Sequence, residues 1–312
     1  VNYFKEEVGS VPSLEKRKIL LDTDIGTDID DAVCLAYLLL HPWCDLLGIT
    51  TVTGEAEKRA MLASALCRRA GRDVPIYPGA EQPLFLPQRQ NHAAQASALG
   101  RWSHETRFPR GEAVGFMQKT IRQNPGEVIL LTIAPLTNIA LLFATDPEIP
   151  SLLKGLVMMC GRFHDPPPQG YAPVEWNALV DAHATSLVYG ERVKVHRSVG
   201  TDVTSKVAMT PGQFRQTFRD IPLFAPVMDW AEIWFTEWAG TTFHDPLAAA
   251  AIFDETLCSF VRGTVRVHLD DEASRGLTSW TPGSPASPHE VAVGIDTDRF
   301  FRHYIEVVGG TV

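Results

Sequence analysis

Asp22-Thr23-Asp24-Ile25-Gly26-Thr27-Asp28-Ile29-Asp30-Asp31 puts five carboxylates into ten residues, straight after the apolar run Ile19-Leu20-Leu21 and straight before the apolar run Ala32 to Leu40. That order is a buried strand, an acidic loop and a helix, and in open α/β sheets ligands bind in the crevice at the carboxyl ends of the strands. Asp30 and Asp31 fall in the first helical turn, where the macrodipole favours each negative charge by only about 0.3–1 kcal/mol. Two carboxylates about 4 Å apart repel by roughly 4 kcal/mol at an effective dielectric of about 20. Capping therefore does not support five of them. A hard divalent cation taking oxygen ligands does, and Ca²⁺ or Mg²⁺ suits an all-carboxylate site. The bland alternative is a solvated, Asp-rich turn that caps the helix.

Outward from this loop the chain alternates. Strand-like runs at Lys18–Asp22, Leu46–Thr53, Val74–Tyr77, Val128–Ile133, Leu156–Cys160 and Val193–Val199 interleave with helix-like runs at Asp31–Leu40, Lys58–Ala70, Ala113–Gln123, Leu136–Ala144 and Ala182–Tyr189. This rhythm predicts an α/β fold with an open, mostly parallel central sheet flanked by helices. Several strands are near-continuous in Val, Ile and Leu, as expected when both faces are covered. The last third is less regular: a helical, Trp-rich stretch at Pro222–Gly240, a short helix after Asp245, strands near Phe260–Leu269 and Glu290–Ile295, and a final helix near Thr297–Val308. No linker or internal repeat interrupts the 312 residues, which are expected to form a single domain over 1–312. Two long irregular segments, Gly79–Gly111 and Arg162–Trp176, are of the length usually reserved for function or mobility.

A hydrophobic content of 45% and a charged content of 21% are those of an ordinary globular chain, favouring neither disorder nor a membrane class. The net charge of −9 argues against general nucleic-acid binding, which needs a positive footprint. Cys34, Cys44, Cys67, Cys160 and Cys258 are odd in number and form no Cys-x-x-Cys pair, so they read as reduced core thiols of a cytoplasmic protein and argue against zinc. Val1 to Lys18 is polar, without an apolar segment suited to secretion, and no later run is long enough to span a membrane.

Three further constellations carry chemistry. The run Val128–Ile133 leads into Ala134-Pro135-Leu136-Thr137-Asn138, with Pro135 suited to a first helical position and a carbonyl before it free to ligate a hard cation. Met158-Met159-Cys160-Gly161 ends another strand, and the loop after it closes on Glu175-Trp176-Asn177, a carboxylate and an amide suited to sugar hydroxyls or, more plainly, to a surface turn. Phe243-His244-Asp245-Pro246 introduces a helix over Leu247–Phe253: Asp245 reads as its N-cap, Pro246 as its first residue, and His244 as a group that exchanges protons near neutral pH. Trp230, Trp234, Phe235 and Trp238 sit at helical spacing and suit either a core face or the wall of an aromatic site.

Together with Ile49-Thr50-Thr51-Val52-Thr53-Gly54, and in this order along most of the chain from Ile19 to Phe253, these motifs resemble the inosine/uridine-preferring nucleoside hydrolase family. The resemblance implies Ca²⁺-dependent hydrolysis of the N-glycosidic bond of ribonucleosides, with a nucleoside or other ribofuranoside as partner and a homo-oligomer, dimer or tetramer, as the assembly. It implies that Asp24 binds the metal and activates water, that Asp31 is a bidentate ligand with Asp30 beside it near the 2′-hydroxyl, and that the Ile133 carbonyl and Asp245 complete the shell. Glu175 and Asn177 match residues that hold the ribose, Gln169 falls where an asparagine commonly lies near the 5′-hydroxyl, and His244 matches a proton donor to the leaving base. The residue chemistry agrees: cleavage of a C1′–N bond builds positive charge on the sugar, which a carboxylate-lined pocket stabilises.

The chain departs from the family pattern in two places. The acidic core is two residues longer, with Ile25 in place of proline and Thr27-Asp28 inserted, so which of Asp28, Asp30 and Asp31 reaches the metal is open at this level. Glu55 stands where an asparagine is usual, an acceptor-only group in place of an amide at a position expected to contact substrate. His92 is a candidate for a loop closing over the base, as Trp234 and Trp238 are for its wall. Alternatives are a hydrolase of a different ribofuranoside, a non-catalytic calcium- and sugar-binding protein, and a phosphatase of the haloacid dehalogenase type. The last leaves Glu175-x-Asn177 and His244-Asp245-Pro246 without a role.

Overall fold

The apolar run 19–21 is the middle of strand β1 (Arg17–Thr23), whose residues from Ile19 onward are all buried. In the computed structural model, residues 16–164 and 166–310 are described, so the polar start of the chain lies outside the described residues up to position 15. The strands that follow are β2 (Cys44–Thr51), β3 (Ile76–Pro78), β4 (Val128–Thr132), β5 (Gly155–Met158), β6 (His196–Ser198), the short pair β7 (Ala208–Met209) and β8 (Thr241–Thr242), then β9 (Cys258–Val267), β10 (Thr278–Pro282) and β11 (His289–Ile295). Nine of them form one sheet in the order β10-β9-β11-β6-β5-β4-β1-β2-β3. All neighbours from β3 across to β11 are parallel, while β9 runs antiparallel to both β11 and β10.

From β1 the chain moves outward to β2 and β3, then returns to the other side of β1 for β4, β5 and β6. The order reverses between β1 and β4, the point at which ligands bind in the crevice of open α/β sheets. Side chains alternate along β1 as a doubly covered strand requires: Ile19 and Leu21 join one apolar cluster and Leu20 the other. On the first face the helices Asp30–Leu40 and His244–Phe253 pack side by side. Their contact is close because the second is almost all alanine after its first turn, Ala248 to Ala251 each fully buried.

The expected alternation holds, with shifted limits and additions. The helix foreseen over Pro222–Gly240 is ordered only over Phe224–Trp234. Pro135 lies two residues before the helix Thr137–Thr145, not at its first position. The short strand β10 and the helix Pro211–Phe218, opened by a capping box between Thr210 and Gln213, had no counterpart in the sequence reading. Within 79–111 the chain forms one 3₁₀ segment, Ala94–Arg101. All five cysteines are buried and unpaired, as expected, and among the described residues no helix is long and apolar enough to cross a membrane.

Past the end of β2 the backbone is forced. Thr53 and Glu55 take left-handed φ values of 73° and 62°, which non-glycine residues adopt rarely and mainly where the surroundings over-determine them. Gly54 between them donates its N–H to the Gln90 carbonyl at 3.2 Å. A Cβ at that position would stand 2.6–2.7 Å from Asn91 O, Asn91 Cα and Gln90 O, all main-chain atoms of the facing loop. Gly54→Ala is expected to lower stability by about 1–3 kcal/mol, the usual range for overpacking, read as a fall in Tm by differential scanning fluorimetry. An unchanged Tm would mean that the 90–91 loop yields without loss.

Candidate active site and metal centre

At the crevice the acidic loop is buried. Asp22 is the penultimate residue of β1, with its Oδ1 accepting from Thr50 Oγ1 and from Asn138 Nδ2 at 2.7 Å, while Oδ2 has no partner among the described residues. Burial pushes this carboxyl up to about 7, against hydrogen bonds from Asn138 and Thr50 that pull it down. Asp24 Oδ2 accepts from Gln90 Nε2 at 2.5 Å, and its main-chain carbonyl is bound by the Arg59 guanidinium. Asp31 Oδ1 accepts from Thr23 Oγ1 at 2.5 Å.

Asp30 and Asp31 open the helix Asp30–Leu40, and Asp245 lies in the first turn of His244–Phe253. Because the two helices pack together, their N-termini meet. One carboxylate oxygen from each of Asp30, Asp31 and Asp245 lies within 4.8 Å of the other two, and all three residues are buried. Burial, and then repulsion from the neighbouring acids, holds all three carboxyls well above their ordinary range. Among the described residues no lysine or arginine donates to these carboxylates. The nearby Arg59 instead gives its N–H groups to the carbonyls of Gly54, Asp24, Ile25 and His92 and to Thr27 Oγ1.

One expectation is corrected here. Asp245 is not the N-cap of its helix: the helix begins one residue earlier, at His244, the preceding Phe243 makes no side-chain cap, and Pro246 is its third residue. The Asp245 carboxylate turns to the cluster, and its main-chain N–H is accepted at 3.2 Å by Asp30 Oδ2. A carboxylate 215 positions away thus does the capping that a local reading assigned to Asp245.

Ile133 follows β4 and donates its N–H to the Asp22 carbonyl at 3.0 Å, which sets it beside the acidic loop. Glu175 and Asn177 are buried, not a surface turn. Glu175 caps the helix Trp176–Val180, with Oε1 accepting from Asn177 N at 2.7 Å and Oε2 from Ala178 N at 3.0 Å and Gly161 N at 2.9 Å. Asn177 Nδ2 donates to the Met159 carbonyl at 3.0 Å, tying this turn to the end of β5. His244 is held by Thr204 Oγ1 on Nδ1 at 2.6 Å and faces the Tyr171 hydroxyl across 3.4 Å from Nε2. Burial pushes its imidazole down to about 4, so it is neutral at pH 7.

Other candidates are spread more widely. Glu55 pairs with Lys58 Nζ at 2.6 Å, accepts from Ala93 N at 3.0 Å and lies 3.6 Å from His92 Nδ1; the hydrogen bond from Lys58 is the main cause holding its carboxyl low. The His92 and Gln169 side chains are exposed. Trp230 is core, whereas Trp234 and Trp238 stack at 5.0 Å, with the exposed Trp238 lining a cavity of about 340 Å³ beside Thr241 and Thr242. Three residues now at the site had been passed over. Tyr171 sits in an irregular loop without a pattern. Gln90 lies in the long 79–111 segment. Arg59 did leave a signal: it falls on the apolar stripe of Leu62, Ala63 and Leu66, a position where a charge is out of place.

A family model described as inosine-uridine preferring nucleoside hydrolase matches residues 19–302. The chain belongs to this family. Nucleoside hydrolases of the family hydrolyse the N-glycosidic bond of ribonucleosides, and the chain is a hydrolase of that class. It is 27% identical to the inosine-uridine preferring nucleoside hydrolase of Crithidia fasciculata, over 91% of this chain and 95% of the relative. It is 28% identical to the pyrimidine-specific ribonucleoside hydrolase RihB of Escherichia coli, over 96% and 99%. The fold matches that of a purine-preferring ribonucleoside hydrolase from Gardnerella vaginalis with a TM-score of 0.80 at 24% identity, covering 94% of this chain and 98% of that one.

The buried acidic triad could hold a metal ion, and the buried Asp22 at the start of the acidic loop ties stability to pH. Exposed, the Asp22 carboxyl has its ordinary value of 3.8; buried, it stands at about 7. Between those values the folded nucleoside hydrolase keeps a proton that the unfolded chain has released, so the stabilisation is complete below the lower value and is lost as pH rises to the upper one. Metal ligation needs the ionised carboxylates and works in the opposite direction. EDTA-treated protein is therefore expected to lose Tm between about pH 5 and about pH 7.5, with added Ca²⁺ restoring more at the higher pH. An equal gain at both would separate the cluster from metal binding.

Proposed function

We propose that this nucleoside hydrolase is calcium-dependent, with Asp24, Asp30, Asp31, Asp245 and the Ile133 carbonyl around the ion and a ribonucleoside as substrate. The observation that carries this reading is the convergence of three buried carboxylates with no cationic side chain among the described residues bonded to them. Unpaired buried charge is expensive enough that such a cluster calls for a cation. Two oxygens on opposite sides of a calcium ion stand about 4.6–5.2 Å apart, which the 4.8 Å spread of the triad accommodates. Oxygen-only ligation in a flexible shell favours Ca²⁺ over transition metals. Bound there, the ion supplies Lewis acidity toward water and the vicinal sugar hydroxyls.

The chain's own groups do the rest. Asp24, with one oxygen held by Gln90, takes a proton from the attacking water. The carboxylates around the sugar favour the positive charge that develops at C1′ as the bond to the base stretches. Glu175 and Asn177, immobilised by three backbone N–H groups and the Met159 carbonyl, present the remaining polar edges to the ribose hydroxyls. His244, neutral and fixed by Thr204, faces the leaving base as a neutral N–H donor together with the Tyr171 hydroxyl.

The test is release of free ribose from inosine, uridine, cytidine, adenosine and p-nitrophenyl riboside, with Ca²⁺ and separately with EDTA. Chelator-sensitive release is expected, and release that is indifferent to EDTA would remove calcium from the reading. Asp245→Asn is expected to lose most of the rate and the calcium-induced rise in Tm. A variant that kept both would show that the ion, if bound, sits elsewhere.

A further inference from the structure

The loop 79–111 reaches the Asp24 carboxylate through one carboxamide. Gln90 is 5% exposed, and every polar atom of the residue is engaged. Its Oε1 accepts from Trp176 Nε1 at 2.6 Å, and its Nε2 reaches Asp24 Oδ2 at 2.5 Å and Thr27 Oγ1 at 3.1 Å. An indole N–H only donates, so the oxygen of the amide must face Trp176 and its NH₂ must face Asp24. The main chain is fixed as well: Gln90 N donates to Gln88 Oε1 at 2.8 Å and Gln90 O accepts from Gly54 N at 3.2 Å. Gly54 allows this close approach, as does Gly26, where a Cβ would stand 3.0 Å from that of Ala93. No other side chain among the described residues donates to the Asp24 carboxylate.

The inserted Thr27-Asp28 pair is built into the same arrangement. Thr27 Oγ1 is contacted by both Arg59 and Gln90, and Gln95 Nε2 donates to the carbonyls of Thr27 and Asp28, each at 3.0 Å. The lengthened loop is thus matched by three buried polar residues from two other segments. Trp176, at the far end of the bridge, is the residue between Glu175 and Asn177. Gln90 therefore links the Asp24 side of the crevice to the turn proposed to hold the sugar.

We propose that Gln90 is a positioning residue for the hydrolysis: oriented by Trp176, it fixes the Asp24 carboxylate in its working rotamer and keeps it in step with the Glu175–Asn177 turn. This rests on the role given above to Asp24. Removing a partner that orients an acidic ligand lowers metal affinity or activity by about 10–100-fold. Gln90→Leu removes all three side-chain bonds at similar volume, and Trp176→Phe removes only the group that orients the amide.

The test measures kcat and KM for ribose release together with calcium affinity of the metal-stripped protein by titration calorimetry. Gln90→Leu is expected to lower kcat and calcium affinity by about 10–100-fold, with KM for the nucleoside nearly unchanged. Trp176→Phe is expected to show a smaller loss of the same kind, and the double variant to be no worse than Gln90→Leu alone. Additive losses, or Gln90→Leu at wild-type kcat and affinity, would overturn the proposal. Asp24→Asn separates the two layers: a full rate there sinks the role of Asp24 and this proposal with it, whereas a collapsed rate beside an unaffected Gln90→Leu sinks this proposal alone. If Gln90→Leu does not fold, Trp176→Phe decides by its own kcat and calcium affinity, and wild-type values for both reject the proposal.

Discussion

The meeting of two helix N-termini on one group of buried carboxylates is the constraint around which the rest is arranged. Asp30 and Asp31 begin one helix, Asp245 lies in the first turn of the other, and Asp30 accepts the Asp245 N–H across the junction. The dipoles of both helices are worth too little to hold three such charges out of water. The arrangement stands because helix packing beneath it is over-determined by the alanine face of His244–Phe253 and the apolar face of Asp30–Leu40. The acidic site is thus placed by the core.

Around that junction the supports come from the main chain more than from opposite charges. Arg59, fully buried, binds carbonyl oxygens of the acidic loop and of the facing 90–93 segment, so one cation ties together two stretches that have no regular structure of their own. The left-handed residues Thr53 and Glu55 flank the glycine that lets those stretches approach. Strain of this kind persists only where neighbours compensate it, and here the compensating bonds are the Arg59 and Gln90 contacts.

How much of this was legible depended on how local its cause was. β1, the acidic loop and the helix after it were readable because a doubly buried strand and an amphipathic start are written in consecutive residues. The edge strand β10, Thr-Ser-Trp-Thr-Pro, was not, because it is mostly polar and its pairing with β9 is tertiary. Read locally, Asp245 took a capping role, while the family resemblance made it a metal ligand; nothing near it in sequence reveals that Asp30 caps its helix instead. Gln90 was missed because its surroundings carry no periodicity, and its meaning comes only from Asp24 and Trp176 on either side.

The bond between Asp30 and the Asp245 N–H spans 215 positions, and the closing element is the eleventh α-helix among the described residues. Loop closure over such a length must be paid before the contact returns anything. A ribosome making this chain from its N-terminus exposes the acidic loop long before Asp245 exists. The cluster is therefore completed only after residue 245 has emerged, and a chain cut short anywhere before that position has two of the three converging carboxylates and no means of supplying the third. A complete cluster is in that sense a report on synthesis and folding that have run past residue 245.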